Sequence, residues 1–172
     1  MTQVALKVVL VNPPQEGRKV PSFENLGIGY LAVVLRRNGF HVIVIDAMLE
    51  ELDVKGVVNK IIQASATFLG ISATQAVFGN VAKIVSMLRE KWSGAICLGG
   101  HLATFYDKRA LEETNADFVV RKEGEYPFLE LAKMLDAGLT NFRDIHNLAF
   151  RTQDGIVRNP VRERISFVSS HE

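Results

Sequence analysis

Five short apolar runs, each followed by a stretch with helical spacing, constrain this chain more than any other feature. The runs are VALKVVLV (4–11), FHVIVIDA (40–47), TFLGISA (67–73), AICLG (95–99) and DFVVR (117–121). They are nearly continuous rather than alternating with polar residues, as in strands buried on both faces of a parallel sheet. Between them, Leu26, Tyr30, Val33 and Val34 predict the apolar face of a helix that ends at Arg36, Arg37 and Gly39. Asp53 is placed to cap a second helix that buries Val54, Val57, Val58, Ile61 and Ile62. Val77, Val81, Ile84, Val85 and Leu88 form the stripe of a third. A short helix around 107–113 precedes the fifth run. A last helix over 125–137 turns Phe128, Leu131, Ala132 and Leu135 inward and stops at Gly138. NLAFRTQDGIVRN (147–159) then reads as a hairpin with Asp154–Gly155 at its turn.

This alternation predicts an α/β fold: a flavodoxin-like, five-stranded parallel sheet in the order 2-1-3-4-5, with helices on both faces and a C-terminal β-hairpin extension. Residues 1–142 form the α/β domain, and 143–172 the hairpin and a connector. In such sheets a ligand lies beyond the carboxyl ends of the strands, near the switch point between the first and third. Topology therefore singles out four loops: 12–22, 72–78, 99–106 and 122–127.

Composition narrows the function classes. The 172 residues, 48% of them hydrophobic, suit one domain with a substantial core. A formal charge of +1 makes no electrostatic case for nucleic acid or an acidic membrane. No apolar run approaches the ~20 residues of a membrane helix. The N-terminus lacks the basic start and cleavage site of a signal peptide, so the cytoplasm is the expected compartment. The single cysteine, Cys97, excludes an internal disulfide, and equally an iron–sulfur or cysteine-rich zinc centre within this chain. It sits in an apolar run and reads as an inert core thiol.

The four loops carry the candidate chemistry. The first, Asn12-Pro13-Pro14-Gln15, has prolines where a dinucleotide fingerprint needs glycines. Asp46 would suit a ribose, but without those glycines it reads as a strand-end cap. In the second loop Ser72, Ala73, Thr74 and Gln75 lead toward Val77, and the two hydroxyls either meet a polar ligand or cap a turn. In the third, Gly99–Gly100 allows close backbone approach, His101 follows, and Thr104 adds a hydroxyl. In the fourth, Glu123 and Glu125 flank Gly124 at a helix start. They complement the helix dipole, act as an acid–base pair, or accept hydrogen bonds from a ligand. His41, His146 and His171 read as structural or solvated.

Taken in order, VVLVNPP, LGIGYLAVVLRRNGFHVIVIDA, LGISAT, LGGHLAT and DFVVRKEGEYPFLEL resemble the cobalamin (B12)-binding domain at the N-terminus of class B radical S-adenosylmethionine (SAM) enzymes. That family includes B12-dependent methyltransferases and the anaerobic magnesium-protoporphyrin monomethyl ester cyclase. The resemblance spans roughly residues 4–160. It implies that the dimethylbenzimidazole tail of cobalamin enters at the sheet edge. Ser72 and Thr74 would meet tail or corrin, Gly99, Gly100 and Thr104 would line the slot, and Glu123, Gly124 and Glu125 would meet the tail or the corrin amides. His101 becomes a slot wall rather than a cobalt ligand. Corrinoid carriers related to methionine synthase place Asp-x-His-x-x-Gly in the first loop, with the histidine beneath cobalt. This chain has no histidine there, and residues 75–78 are the candidates by position for the lower face. Lys122 stands where the family usually has glycine. The family's S-adenosylmethionine and [4Fe-4S] cluster bind through CxxxCxxC in a following barrel, which this chain does not contain. The resemblance thus implies a cobalamin-binding module, inactive alone, either excised from such an enzyme or standing by itself. A nucleotide- or sugar-handling enzyme using Asp46 or the Glu123/Glu125 pair is the alternative, and a ligand-free interaction domain a third.

Overall fold

A computed structural model describes residues 6–17 and 25–162. Each apolar run forms a strand: β1 (Lys7–Asn12), β2 (His41–Asp46), β3 (Phe68–Ser72), β4 (Ala95–Gly99) and β5 (Phe118–Val120). The helices are α1 (Leu26–Arg37), α2 (Val54–Gln63), α3 (Phe78–Arg89), α4 (His101–Phe105), α5 (Asp107–Glu113) and α6 (Glu125–Asp136). β6 (Leu148–Thr152) and β7 (Gly155–Arg158) complete the chain. The sheet runs β2-β1-β3-β4-β5-β6-β7. β1 to β5 pair in parallel, and the hairpin continues the sheet antiparallel from β5. The expected 2-1-3-4-5 order and hairpin extension are both present. Val4 and Ala5, and the ends of the first loop and of the connector, lie outside the described residues.

Local chemistry explains the helix limits. Asn25 caps α1 by accepting from Ile28 N at 3.2 Å. At the other end Phe40 N reaches Leu35 O (3.2 Å) and Gly39 N reaches Arg36 O (3.1 Å), with Gly39 at φ 88°. That is a Schellman ending, which requires the left-handed residue glycine supplies. Asp53 caps α2 through Gly56 N at 2.7 Å.

The face of α1 differs from expectation. Leu26 and Tyr30 are each 65% exposed and Val33 is exposed, while Ile28, Ala32 and Leu35 are buried. The helix is apolar nearly all round, so two stripes share the same helical spacing. The buried stripe is the one that packs with Leu10 of β1 and Phe128 and Ala132 of α6, and the Schellman ending adds Phe40 to the same core. On α2, Ile62 likewise turns outward while Val57, Val58 and Ile61 are buried. The loop after β4, expected as irregular, contains the short helix α4. The hairpin turn lies one residue earlier than expected: Thr152 pairs with Gly155, so Gln153 and Asp154 form it and Gly155 takes φ 126°.

The sheet separates two cores. α2, α3, α4 and α5 cover one face and α1 and α6 the other. Asp107, buried at the start of α5, pairs with Arg158 (2.8 Å) and Arg121 (3.5 Å), tying β7 and the end of β5 to α5. Burial lowers the pKa of the Arg121 guanidinium, and Asp107 opposes that shift. Among the described residues no helix is long and apolar enough to cross a membrane.

Candidate functional site

β3 and β4 alternate in side-chain size as well as in direction. In register, Leu69 sits beside Ile96, Gly70 beside Cys97, Ile71 beside Leu98, and Ser72 beside Gly99. Successive residues of a strand point to opposite faces. Every large residue of this set therefore faces α2 and α3, and every small one faces α1 and α6. The second face is left hollow near the carboxyl ends of the strands. A cavity of about 220 Å³ lies there, walled by Asn25 and Ile28 of the α1 region and by Glu123 to Glu125 and Phe128 of the α6 region. Leu10, Gly70, Cys97 and Val120 also line it.

The glycines around it do different work. A Cβ on Gly70 would stand 2.8 Å from Leu10 Cδ2 and from Phe128 Cε2. Phe128, which stacks on Phe68 at 4.6 Å, thus occupies the space a side chain at 70 would take. A Cβ on Gly99 would meet no atom within 4 Å, so this part of the wall is open. Gly100 has φ 96°, and its Cβ would lie 3.0 Å from Ala73 O; both conformation and space demand glycine.

Polar groups gather at the strand tips. Asn25 Nδ2 donates to Asn12 Oδ1 and to Ser72 Oγ, each at 3.2 Å. Asn12 Nδ2 donates to Asp46 Oδ1 at 3.1 Å. The same Asp46 oxygen accepts from Met48 N (3.0 Å) and Leu49 N (3.2 Å), so this carboxylate serves as a strand-end cap. Thr104 Oγ1 donates to Gly100 O (3.2 Å) and accepts from Lys122 N (2.9 Å), joining the loops after β4 and β5. Lys122 has φ 59°, a left-handed conformation in which a Cβ is costly. Burial pushes the Cys97 thiol up, which keeps it protonated, and the thiol contacts Leu98 O at 3.7 Å.

Of the residues singled out from sequence, Ser72, Gly99, Gly100, Glu123, Gly124 and Glu125 line the cavity together. Thr104 braces two of its loops. Asn12 joins the polar chain at its mouth. Pro13 and Ala73 are buried, and Pro14 accepts from Asn80 Nδ2 at 2.9 Å. Thr74 and Gln75 are exposed outside the cavity lining, and Val77 is buried at the start of α3. His101 is exposed on α4 with its ring 5.7 Å from that of Phe105, also outside the lining. Among the described residues no group of three His, Cys, Asp or Glu side chains could hold a metal ion.

Leu10, Asn25, Gly70 and Phe128 are among the lining residues that the sequence did not single out as site candidates. The signal that could have found the slot is the size alternation L-G-I-S beside I-C-L-G. The N-cap role of Asn25, just before a helix at the switch point, could have placed that residue at the mouth.

Comparison with known proteins agrees with this architecture. The chain is 32% identical, over 90% of its length, to the "Uncharacterized methyltransferase PH0819" of Pyrococcus horikoshii, of which it covers 34%. It spans about a third of the length of the curated relatives it matches. Among solved structures it superimposes on the radical SAM methyltransferase TsrM of Kitasatospora setae, solved with cobalamin and a [4Fe-4S] cluster bound. The TM-score is 0.79 at 22% identity, covering 93% of this chain and 30% of that one. OxsB, a cobalamin-dependent radical SAM enzyme solved with aqua-cobalamin and S-adenosylmethionine, gives a TM-score of 0.77 at 22% identity, covering 92% and 22%. At those identities the likeness is one of fold. The model of the B12 binding domain matches residues 20–132. This chain belongs to the B12-binding domain family.

Proposed function

We propose that this chain holds cobalamin for a B12-dependent radical SAM enzyme and is inactive by itself. The observation that carries the reading is the hollow on the α1/α6 face, opening at the carboxyl ends of β3 and β4 beside the Gly99 wall. A flat macrocycle with a thin tail needs a narrow slot lined by small residues and a few polar groups at its mouth, and these residues fit that demand. Ser72, Gly99, Gly100 and Glu123 to Glu125 would hold the tail and the adjoining corrin amides, with Thr104 and Asn25 fixing the loops around them. When bound, cobalamin supplies a cobalt centre for methyl transfer or related radical chemistry. The first loop offers no histidine for the lower face of cobalt; Gln75 is the exposed polar side chain of the 75–78 segment.

Residues 143–172 would connect this module to a radical SAM barrel carrying S-adenosylmethionine and the [4Fe-4S] cluster, in the cytoplasm. The share of its relatives that the chain covers supports this placement. A nucleotide-handling role through Asp46 has less support, because its Oδ1 already accepts three hydrogen bonds.

The test is incubation with hydroxocobalamin followed by desalting. The corrin absorption is expected to stay with the protein and the melting temperature to rise. A colourless protein with an unchanged melting temperature would refute the proposal, and stabilisation by NAD or a nucleotide sugar would favour the enzyme alternative.

A further inference from the structure

The slot grades from polar to apolar along its depth. Ser72 and Gly99 form its outermost rung, and Gly70 and Cys97 lie two residues deeper. Around that inner rung stand Leu10, Val120 and Phe128. Among the described residues, the polar lining side chains (Asn25, Ser72, Lys122, Glu123, Glu125) belong to strand tips, loops and the first residue of α6. At the inner rung the one heteroatom in a side chain is the Cys97 sulfur, which has the backbone of Leu98 and of Val120 as its partners. The backbone there is committed to the β1–β3–β4 ladder. No buried side-chain nitrogen or oxygen among the described residues lacks a partner.

From this gradient we infer that the slot selects among cobamides by the chemistry of the tail base, accepting an apolar benzimidazole or phenol and discriminating against a purine. The inference rests on the cobalamin reading above. A dimethylbenzimidazole presents methyl groups and an aromatic edge to Leu10, Val120 and Phe128. An adenine in the same place buries an exocyclic amine and ring nitrogens against groups that neither accept nor donate. An unpaired buried polar group weakens binding by roughly ten- to a hundred-fold.

The experiment titrates the full chain with three aquo-cobamides that differ only in the tail: cobalamin, the adenine-tailed form and the p-cresol-tailed form. Corrin absorbance after desalting and the shift in melting temperature are the readouts. The cresol tail cannot coordinate cobalt, so it separates slot chemistry from release of the tail base from the metal. The adenine-tailed form is expected to bind at least about tenfold more weakly than both others. Val120→Thr, which places a hydroxyl on the inner rung without adding volume, is expected to narrow that gap several-fold in protein that melts cooperatively. Equal or tighter binding of the adenine-tailed form would overturn the inference and leave the cobalamin reading standing. An unchanged gap in folded Val120→Thr would also overturn it. Failure of all three cobamides to bind would instead remove the cobalamin reading itself.

Discussion

The two faces of the sheet are built from the same two strands and serve opposite ends. Toward α2 and α3, β3 and β4 present Leu69, Ile71, Ile96 and Leu98, all at or near zero exposure, and the space is filled. Toward α1 and α6 the same strands present Gly70, Ser72, Cys97 and Gly99, and the space is left open over its outer half. Stability and binding are thus separated by the period of a β-strand. The separation holds for the outer rungs, from Leu69 and Ile96 to the strand tips; deeper on the α1/α6 face Phe68 and Ala95 pack into the core. Gly70 is the instructive exception, since Phe128 fills the room it leaves.

That comparison can be broken in several places. Leu98→Ala on the filled face should cost the most, about 2–5 kcal/mol for a buried leucine, while protein that remains folded keeps its cobalamin affinity; denaturant titration and cobalamin binding measure the two. Gly70→Ala should lower stability by about 1–3 kcal/mol, because its Cβ needs Leu10 and Phe128 to move. Asn25→Ala removes the α1 cap and the links to Asn12 and Ser72, for a loss of about 1 kcal/mol and a weaker hold on the ligand. Lys122→Gly should raise stability by up to about 1 kcal/mol, read as a higher melting temperature, since φ 59° suits glycine. His101→Ala should be the smallest, within about 0.5 kcal/mol for an exposed residue and with cobalamin bound nearly as well. A His101→Ala protein that lost the corrin would move the binding site out of the slot toward α4.

The architecture was legible because nearly continuous apolar runs and helix caps are local signals. Asp53, Gly39 and the stripe of α3 each rest on one element's own chemistry. Failures arose where a choice depends on tertiary contact. Two apolar stripes on α1 satisfy the same period, and the packing of Ile28, Ala32 and Leu35 into the core shared with β1 and α6 decides between them. The glycines of LGGHLAT marked the slot but did not distinguish themselves. Gly100 is demanded by backbone conformation and by Ala73, whereas Gly99 has the open space beside it. Gly70 and Phe128 were invisible as site residues because their roles exist only once β3 and α6 are in contact.

That distinction supplies the most direct measurement. Gly99→Leu adds a side chain whose Cβ would meet no atom within 4 Å and which extends toward the open slot, so the fold should survive, whereas any large residue at Gly100 confounds folding with binding. Wild type and Gly99→Leu would be melted, incubated with hydroxocobalamin and desalted side by side. The account predicts melting temperatures within a few degrees, on the order of 1 kcal/mol, and corrin absorption only with the wild type. A folded Gly99→Leu protein that keeps the full corrin spectrum would contradict it.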